Sequence, residues 1–364
     1  MHVRLTMGHV LGARTMHRRL TWVAIALSPI VAAAAPLPRF PAGAVWNQDV
    51  SQALLAANST TMISTLQQLG GWGNGGVLQI DLSMVVLHAA AGAPTALVVA
   101  WPSAAAYYSP DCDAPGFVFP LPPGGAIEGS VGYSCDHDNQ DCHLLVQQGN
   151  TLYEAYGATV AAGSLQTICA LSWDLTKRYP RSGRGEQCTS ADAAGFPIAS
   201  LLFNADEVAA AVASGGDIGH AIRFILPNPR IAAAAYVHPA THGTKPPNGA
   251  SAPAASVPYG VRMRLKAGFD MSHYNAAAQA LLRTMQRYGI VLADGGNIAL
   301  TGESDRFTTA KWADLGIDEH VFVNGNPSPQ VADFEVVETG PRYTVTYDCV
   351  RNPDDFIFID GYDY

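Results

Sequence analysis

The stretch HLLVQQGNTLYEAY, residues 143–156, decides the fold class. Two short apolar-rich runs, 143–148 and 151–156, flank Gly149-Asn150, a pair suited to a two-residue hairpin turn. Working outward, segments of the same kind recur at 77–83, 96–101, 151–160, 164–173, 218–226, 232–237 and 259–267. Each is short, often alternating, and bounded by Gly, Pro or Asn. In the last of them Val261, Met263 and Leu265 alternate with Arg262, Arg264 and Lys266, so one face should be buried and the other basic and solvated.

Two helices are credible from local signals. Asn204, followed three residues later by Glu207, resembles a capping box ahead of an Ala/Val run, which also accounts for the Asp206-Glu207 pair. Residues 272–288 carry an apolar stripe of Ala278, Leu281, Leu282, Met285 and Tyr288, with Gly289 as a stop. Residues 241–258 read as a solvated loop inside one domain. The expectation is a mainly β chain: one β-sandwich or jelly-roll-like domain over 36–364 with two or three peripheral helices.

Residues 1–35 read as a secretory signal. A basic patch (Arg14, His17, Arg18, Arg19) precedes an apolar run at 20–27 and an alanine tract that ends at Ala35, before Pro36. Met16 opens a compact signal by itself and is the alternative start. The apolar run is shorter than the roughly 20 residues a membrane span takes, and no later segment reaches about 18, so no membrane partner is expected after cleavage. A net charge of −9 argues against nucleic acid, since phosphate binding needs a basic surface.

All 6 cysteines lie beyond Ala35, and an even number in an exported chain implies disulfides. Short loops favour Cys135–Cys142 and Cys169–Cys188, which leaves Cys112–Cys349. No C-x-x-C pair is present, so a structural zinc module is disfavoured.

The chain has no G-x-S-x-G, H-E-x-x-H or Walker motif. Its chemical signals are carboxylates among small residues: Glu128 in GGAIEGS, Asp192 in CTSADAAG and Asp294 in VLADGGN. A turn glutamate, a helix cap and a type I′ turn residue are the respective structural readings. The histidines are His143, His220, His238 and His242; the last two are spaced H-x-x-x-H, but Pro239 breaks the helix that would align them. Asp136, Asp138 and Asp141 lack the glycine and glutamate of a calcium loop. No metal or cofactor is expected. Trp46, Trp72, Trp101, Tyr107, Tyr108 and Tyr259 sit near Gly, Asn or Pro, as platforms for sugar rings do, although core packing explains many such residues.

The segments FPAGAVWNQDVS, GGAIEGS, TSADAAGFPIASLLFNADEV, GHAIRFILPN, YVHPATHG, RYGIVLADGGN and DFEVV resemble, in order, those of a large group of secreted bacterial proteins. Many of that group are described only as hypothetical, and some carry carbohydrate-binding modules. The extra cysteines and GYSCDHDNQDCH depart from the group's pattern. The resemblance implies work on polysaccharide by analogy alone. The leading expectation is a glycoside hydrolase acting on polysaccharide or oligosaccharide through two of Glu128, Asp192 and Asp294. His220 or His238 would orient a carboxylate, and Trp46, Trp101 and Tyr259 would line subsites. The alternatives are a polysaccharide lyase, in which Arg262, Arg264 and Lys266 would neutralise a uronate, and a non-catalytic carbohydrate-binding or envelope protein.

Overall fold

The computed structural model describes residues 36–102, 107–245, 253–324 and 327–353, so the expected signal segment lies outside the described residues. The chain is mainly β, with several sheets and few helices, as its strand pattern implied. Two four-stranded sheets pack face to face. The inner one orders Val86–His88, Leu144–Gln148, Thr151–Tyr156 and Cys169–Asp174; the outer one orders Val118–Pro120, Thr95–Ala100, Ser164–Thr167 and Thr159–Ala161. Alternation does the packing. Leu144, Val146, Ala155 and Ala170 face the outer sheet's Val98, Phe119 and Leu165, while Leu145, Leu152, Leu171 and Trp173 face away into a second cluster with Phe40 and Ile198. The hairpin at 143–156 forms as expected, with Gln148 opposite Thr151 and Gly149 at φ 58°.

A six-stranded mixed sheet stands beside this pair, in the order Ile80–Met84, Leu300–Glu303, Ile222–Leu226, Ile290–Gly295, Arg262–Leu265, Phe334–Val336. Three helices cover its core: Ser59–Gln68, Ala205–Ser214 and Ala276–Arg287. The two expected helices form, the second from Ala276 rather than 272, and Asn204 caps the first without the reciprocal half of a capping box, since the Glu207 carboxylate bonds Arg39. Asn204 accepts from the Glu207 amide at 2.9 Å, and Asn275 accepts from Ala278 at 2.8 Å. Leu281, Leu282 and Met285 bury the stripe against Phe224 and Leu292. Gly289 ends the last helix at φ +71°, where a Cβ would meet the Met263 carbonyl oxygen at 2.6 Å, so only glycine fits.

Several expectations are corrected. Residues 164–173 are not one strand: the chain switches sheets at Ile168, leaving Ser164–Thr167 in the outer sheet and Cys169–Asp174 in the inner one. Of the basic face expected over residues 259–267, only Lys266 is solvated. Arg262 is buried, Arg264 bonds Glu335, and the Lys266 ammonium donates to the Ala332 carbonyl. The disulfides are Cys112–Cys169, Cys135–Cys142 and Cys188–Cys349, so only the shortest expected pair is right. Loop length failed as a guide because the sheets decide which cysteines meet. Cys169 opens an inner-sheet strand and its side chain joins Cys112 in the cluster on that sheet's far face. Thr241, expected in a solvated loop, is buried and donates to the Cys188 carbonyl at 2.6 Å. No helix among the described residues is long and apolar enough to cross a membrane.

Candidate functional site

Strand Ile222–Leu226 turns Ile222, Phe224 and Leu226 toward the helices, which leaves Arg223 on the opposite face. There its guanidinium donates to Asp192 Oδ1 at 2.7 Å and to Thr301 Oγ1 at 2.9 Å. The neighbouring parallel strand Ile290–Gly295 shifts register between Leu292 and Asp294. This irregularity re-aims the strand end, as bulges near sites do, and brings Asp294 Oδ2 to 3.8 Å from the same Arg223 nitrogen. Gly295 is glycine because of close approach: a Cβ would meet Asn228 Oδ1 at 2.3 Å. Neither a type I′ turn at Asp294 nor a helix cap at Asp192 is found; Asp192 sits in an irregular loop pinned by Ser190.

One guanidinium cannot neutralise two carboxylates in a desolvated place. Burial raises both Asp192 and Asp294 above the ordinary carboxylate range against the pull of Arg223 and, more weakly, His143, and the charge of Asp294 adds to the rise of Asp192. Asp192 is fully enclosed, whereas the Asp294 side chain is 28% exposed. Asp294 therefore carries the pair's chemistry outward.

Close by, Glu128 accepts from His143 Nδ1 at 2.7 Å, from the His143 amide at 3.2 Å and from Ser83 Oγ at 3.1 Å. Burial opposes the charged form of each partner, but their mutual attraction wins. His143 is raised to about 9 and Glu128 lowered to about 2, so the pair is imidazolium and carboxylate at neutral pH. The buried Nε2 of His143 has no partner among the described residues.

Asp294 and His143 line a cavity of about 650 Å³, a volume typical of ligand sites. Its walls also carry Asp111, Asp141, His242, Tyr108, Tyr156 and Tyr347. Tyr108 stacks on Tyr156 with centroids 6.3 Å apart, and His242 lies edge-on to Tyr347 at 5.4 Å. Burial, reinforced by Tyr108, Asp141 and Asp294, pushes the Tyr156 hydroxyl up to about 12. Every disulfide braces this wall. Asp111 adjoins Cys112, Asp141 and His143 flank Cys142, residues 189–191 follow Cys188, and Tyr347 lies two positions before Cys349.

Of the residues assigned a catalytic or sugar-binding role from sequence, only Asp294 lines this cavity; Tyr107, Tyr108, His143 and His242, also noted in the sequence, line it too. Glu128 stands behind His143 and Asp192 behind Arg223. Tyr259 is buried, near enough to Asp294 and Asp192 for their charges to help raise its hydroxyl, after burial itself. Trp46 and His238 line a separate cavity of about 240 Å³. His220 is buried, bonded to Arg39 at 2.7 Å and to the Ala221 carbonyl, and holds the fold together. Trp101 packs its ring edge-on to His137 at 5.5 Å. Sequence reasoning missed Arg223, Tyr156 and Tyr347 as site residues and weighed Asp141 only as part of a calcium loop. For Arg223 the signal was present, as a lone charge inside the apolar alternation of IRFIL. No His/Cys/Asp/Glu cluster of metal-binding form occurs among the described residues. No protein-family model matches the chain, and neither a curated protein nor a solved structure does.

Proposed function

We propose that this chain is an extracytoplasmic carbohydrate-active enzyme, a glycoside hydrolase that works in the large cavity with Asp294 as general acid and Asp141 as base or nucleophile. The observation that carries this reading is Asp294, a carboxyl raised above its ordinary range, partly open to a cavity with tyrosine walls. A general acid must hold its proton near working pH, and burial beside a second carboxylate is a recurrent way to achieve that. Asp141 is exposed on the same wall, its carboxylate makes no hydrogen bond among the described residues, and the His143 imidazolium feels its charge. In the proposed reaction Asp294 protonates the glycosidic oxygen while Asp141 attacks, or activates water, across an oxocarbenium-like transition state. Tyr108, Tyr156 and Tyr347 offer flat faces to sugar rings. Export is part of the proposal and rests on the signal-like N-terminus and on three disulfides, which persist in oxidising compartments.

The lyase alternative has less support in this cavity, because Arg262, Arg264 and Lys266, the cations expected to neutralise a uronate, do not line it. The test is to incubate the purified protein with a polysaccharide panel and to read reducing ends and ultraviolet absorbance together. New reducing ends without absorbance, lost in Asp294→Asn and Asp141→Asn at unchanged melting temperature, are expected. Absorbing products would mean a lyase. Retained sugar binding in both variants, with no product from the parent, would mean a binding protein.

A further inference from the structure

Four arginines are buried in the described residues, and three have carboxylate partners. Arg223 bonds Asp192, while Arg184 and Arg351 share Asp113. Arg262 is the exception. At 6% exposure it donates Nε to the Tyr288 carbonyl at 2.6 Å, Nη1 to Val45 at 2.9 Å and Nη2 to Gln48 at 2.9 Å, all neutral acceptors. No carboxylate of the described residues lies within 4.0 Å of it. A guanidinium has five N–H groups, so two remain after these bonds. A buried charge without a contacting counter-charge is costly, and burial lowers Arg262 to about 10 although the charge of Asp49, beyond ion-pair distance, pulls the other way.

Arg262 lines the 240 Å³ cavity together with Trp46, Arg181, Ala221, His238 and Val291. Arg181 is exposed there, and its guanidinium makes no hydrogen bond to a described residue. The two acids on this wall are occupied or peripheral. Asp49 bonds Arg287 at 2.8 Å and Ser51, and Glu338, exposed at the rim, accepts from the Gly340 amide. His238 Nε2 donates to Glu186 Oε1 at 2.8 Å, so its ring is held in place. Half-buried Trp46, braced edge-on by Phe196, supplies a flat apolar wall.

We propose that this second cavity binds a small organic carboxylate the size of a single hexuronate, its carboxylate between Arg262 and Arg181 and its ring against Trp46. Such a ligand supplies the contacting anion that Arg262 lacks, Asp49 acting on it only from a distance. The same chemistry is offered by a free sugar acid or by the terminal uronate of an oligosaccharide. The site is independent of the proposed hydrolase chemistry, since it shares no wall residue with the Asp294 cavity.

The test is isothermal titration of the full protein with D-glucuronate, with a uronate-terminated disaccharide, and with D-glucose as the uncharged control. Glucuronate is expected to bind and glucose not. Arg181→Glu should weaken glucuronate about fivefold or more, and Asp294→Asn should leave it unchanged. Arg262→Met should abolish binding, and Arg181→Glu at an exposed position keeps the experiment decisive if Arg262→Met does not fold. A disaccharide that binds at least as tightly identifies the oligosaccharide as the source; one that fails identifies the free acid. Glucuronate that does not bind, glucose that binds equally, or affinity lost in Asp294→Asn but kept in Arg181→Glu would each overturn the proposal.

Discussion

The helix-covered sheet and the cavity side of the molecule are stabilised by different means. Around the six-stranded sheet the core is a continuous apolar cluster without a single cysteine, closed by Leu281, Leu282 and Met285 from one helix and Met62, Ile63 and Leu66 from another. Around the large cavity the order comes from three disulfides and from buried charge: Arg223 with Asp192, Arg184 and Arg351 with Asp113, and His143 with Glu128. Apolar burial is the efficient way to stabilise a fold. Buried ion pairs are not, since desolvation offsets most of their attraction. A region that spends its interior on such pairs and then cross-links them is organised for the placement of polar groups, as a binding or catalytic wall must be.

That contrast can be broken by substitution. The largest effect is expected from Asp294→Asn, which should lower kcat about 10²–10⁴-fold while leaving urea unfolding unchanged. Equal losses of activity and stability would make Asp294 a structural residue. Arg223→Met leaves Asp192 enclosed beside Asp294 without a cation, and should cost about 3–5 kcal/mol in unfolding free energy. A cost under about 1 kcal/mol would mean that the pair already holds its own proton and does not need the guanidinium. On the other side, Leu281→Ala should cost about 3 kcal/mol by leaving a cavity under the helix, with kcat per folded molecule intact. If kcat falls with it, the two regions are not separable. Removing Cys135–Cys142 by paired serine substitution opens a loop of 7 residues and should cost about 2 kcal/mol. Because Asp141 and His143 flank Cys142, activity should fall by more than that stability change explains.

The two regions also differed in how much of them the sequence disclosed. The helices and the 143–156 hairpin follow from local rules, an Asn cap, a 3.6-residue stripe and a glycine turn, so they were readable. Helix Ser59–Gln68 was not anticipated, because its STTMISTLQQ is rich in residues of middling helix propensity, although Met62, Ile63 and Leu66 do repeat at helical spacing. Around the cavity the decisive relations are long-range. Acids set among small residues pointed to Glu128, Asp192 and Asp294, and the three do converge, but through His143 and Arg223 rather than on one open groove. Nothing local says that Asp141 would reach the same wall, or that Cys169 would meet Cys112 rather than Cys188. Sheet pairing across dozens of residues decides both.

The smallest expected effect concerns pH, and it separates the paired from the unpaired buried acids. Glu128 and His143 form a pair with opposite shifts. The Glu128 contribution is present above its unfolded value near 4.5 and is lost as pH falls toward about 2; that of His143 is complete below about 6.5 and is lost as pH rises through about 9. Their joint stabilisation is therefore a plateau around pH 4.5–6.5 that persists, diminishing, to about 9. Glu154 has no cation within ion-pair distance among the described residues. It accepts from Trp173 Nε1 and the Ala199 amide, both at 2.9 Å, and burial raises it to about 7. A raised carboxyl stabilises the fold below its unfolded value, and this contribution drains away as pH rises through 7. Across pH 5–7 it tilts stability downward by at most about 1.4 kcal/mol per pH unit, the limit for one proton. Glu154→Gln keeps the shape and removes the proton, so urea midpoints measured from pH 5 to 8 should flatten, whereas Glu128→Gln should lower them throughout that range. If Glu154→Gln leaves the slope unchanged, the descent belongs to another acid, and Glu303, also raised to about 7 by burial, is the next to replace.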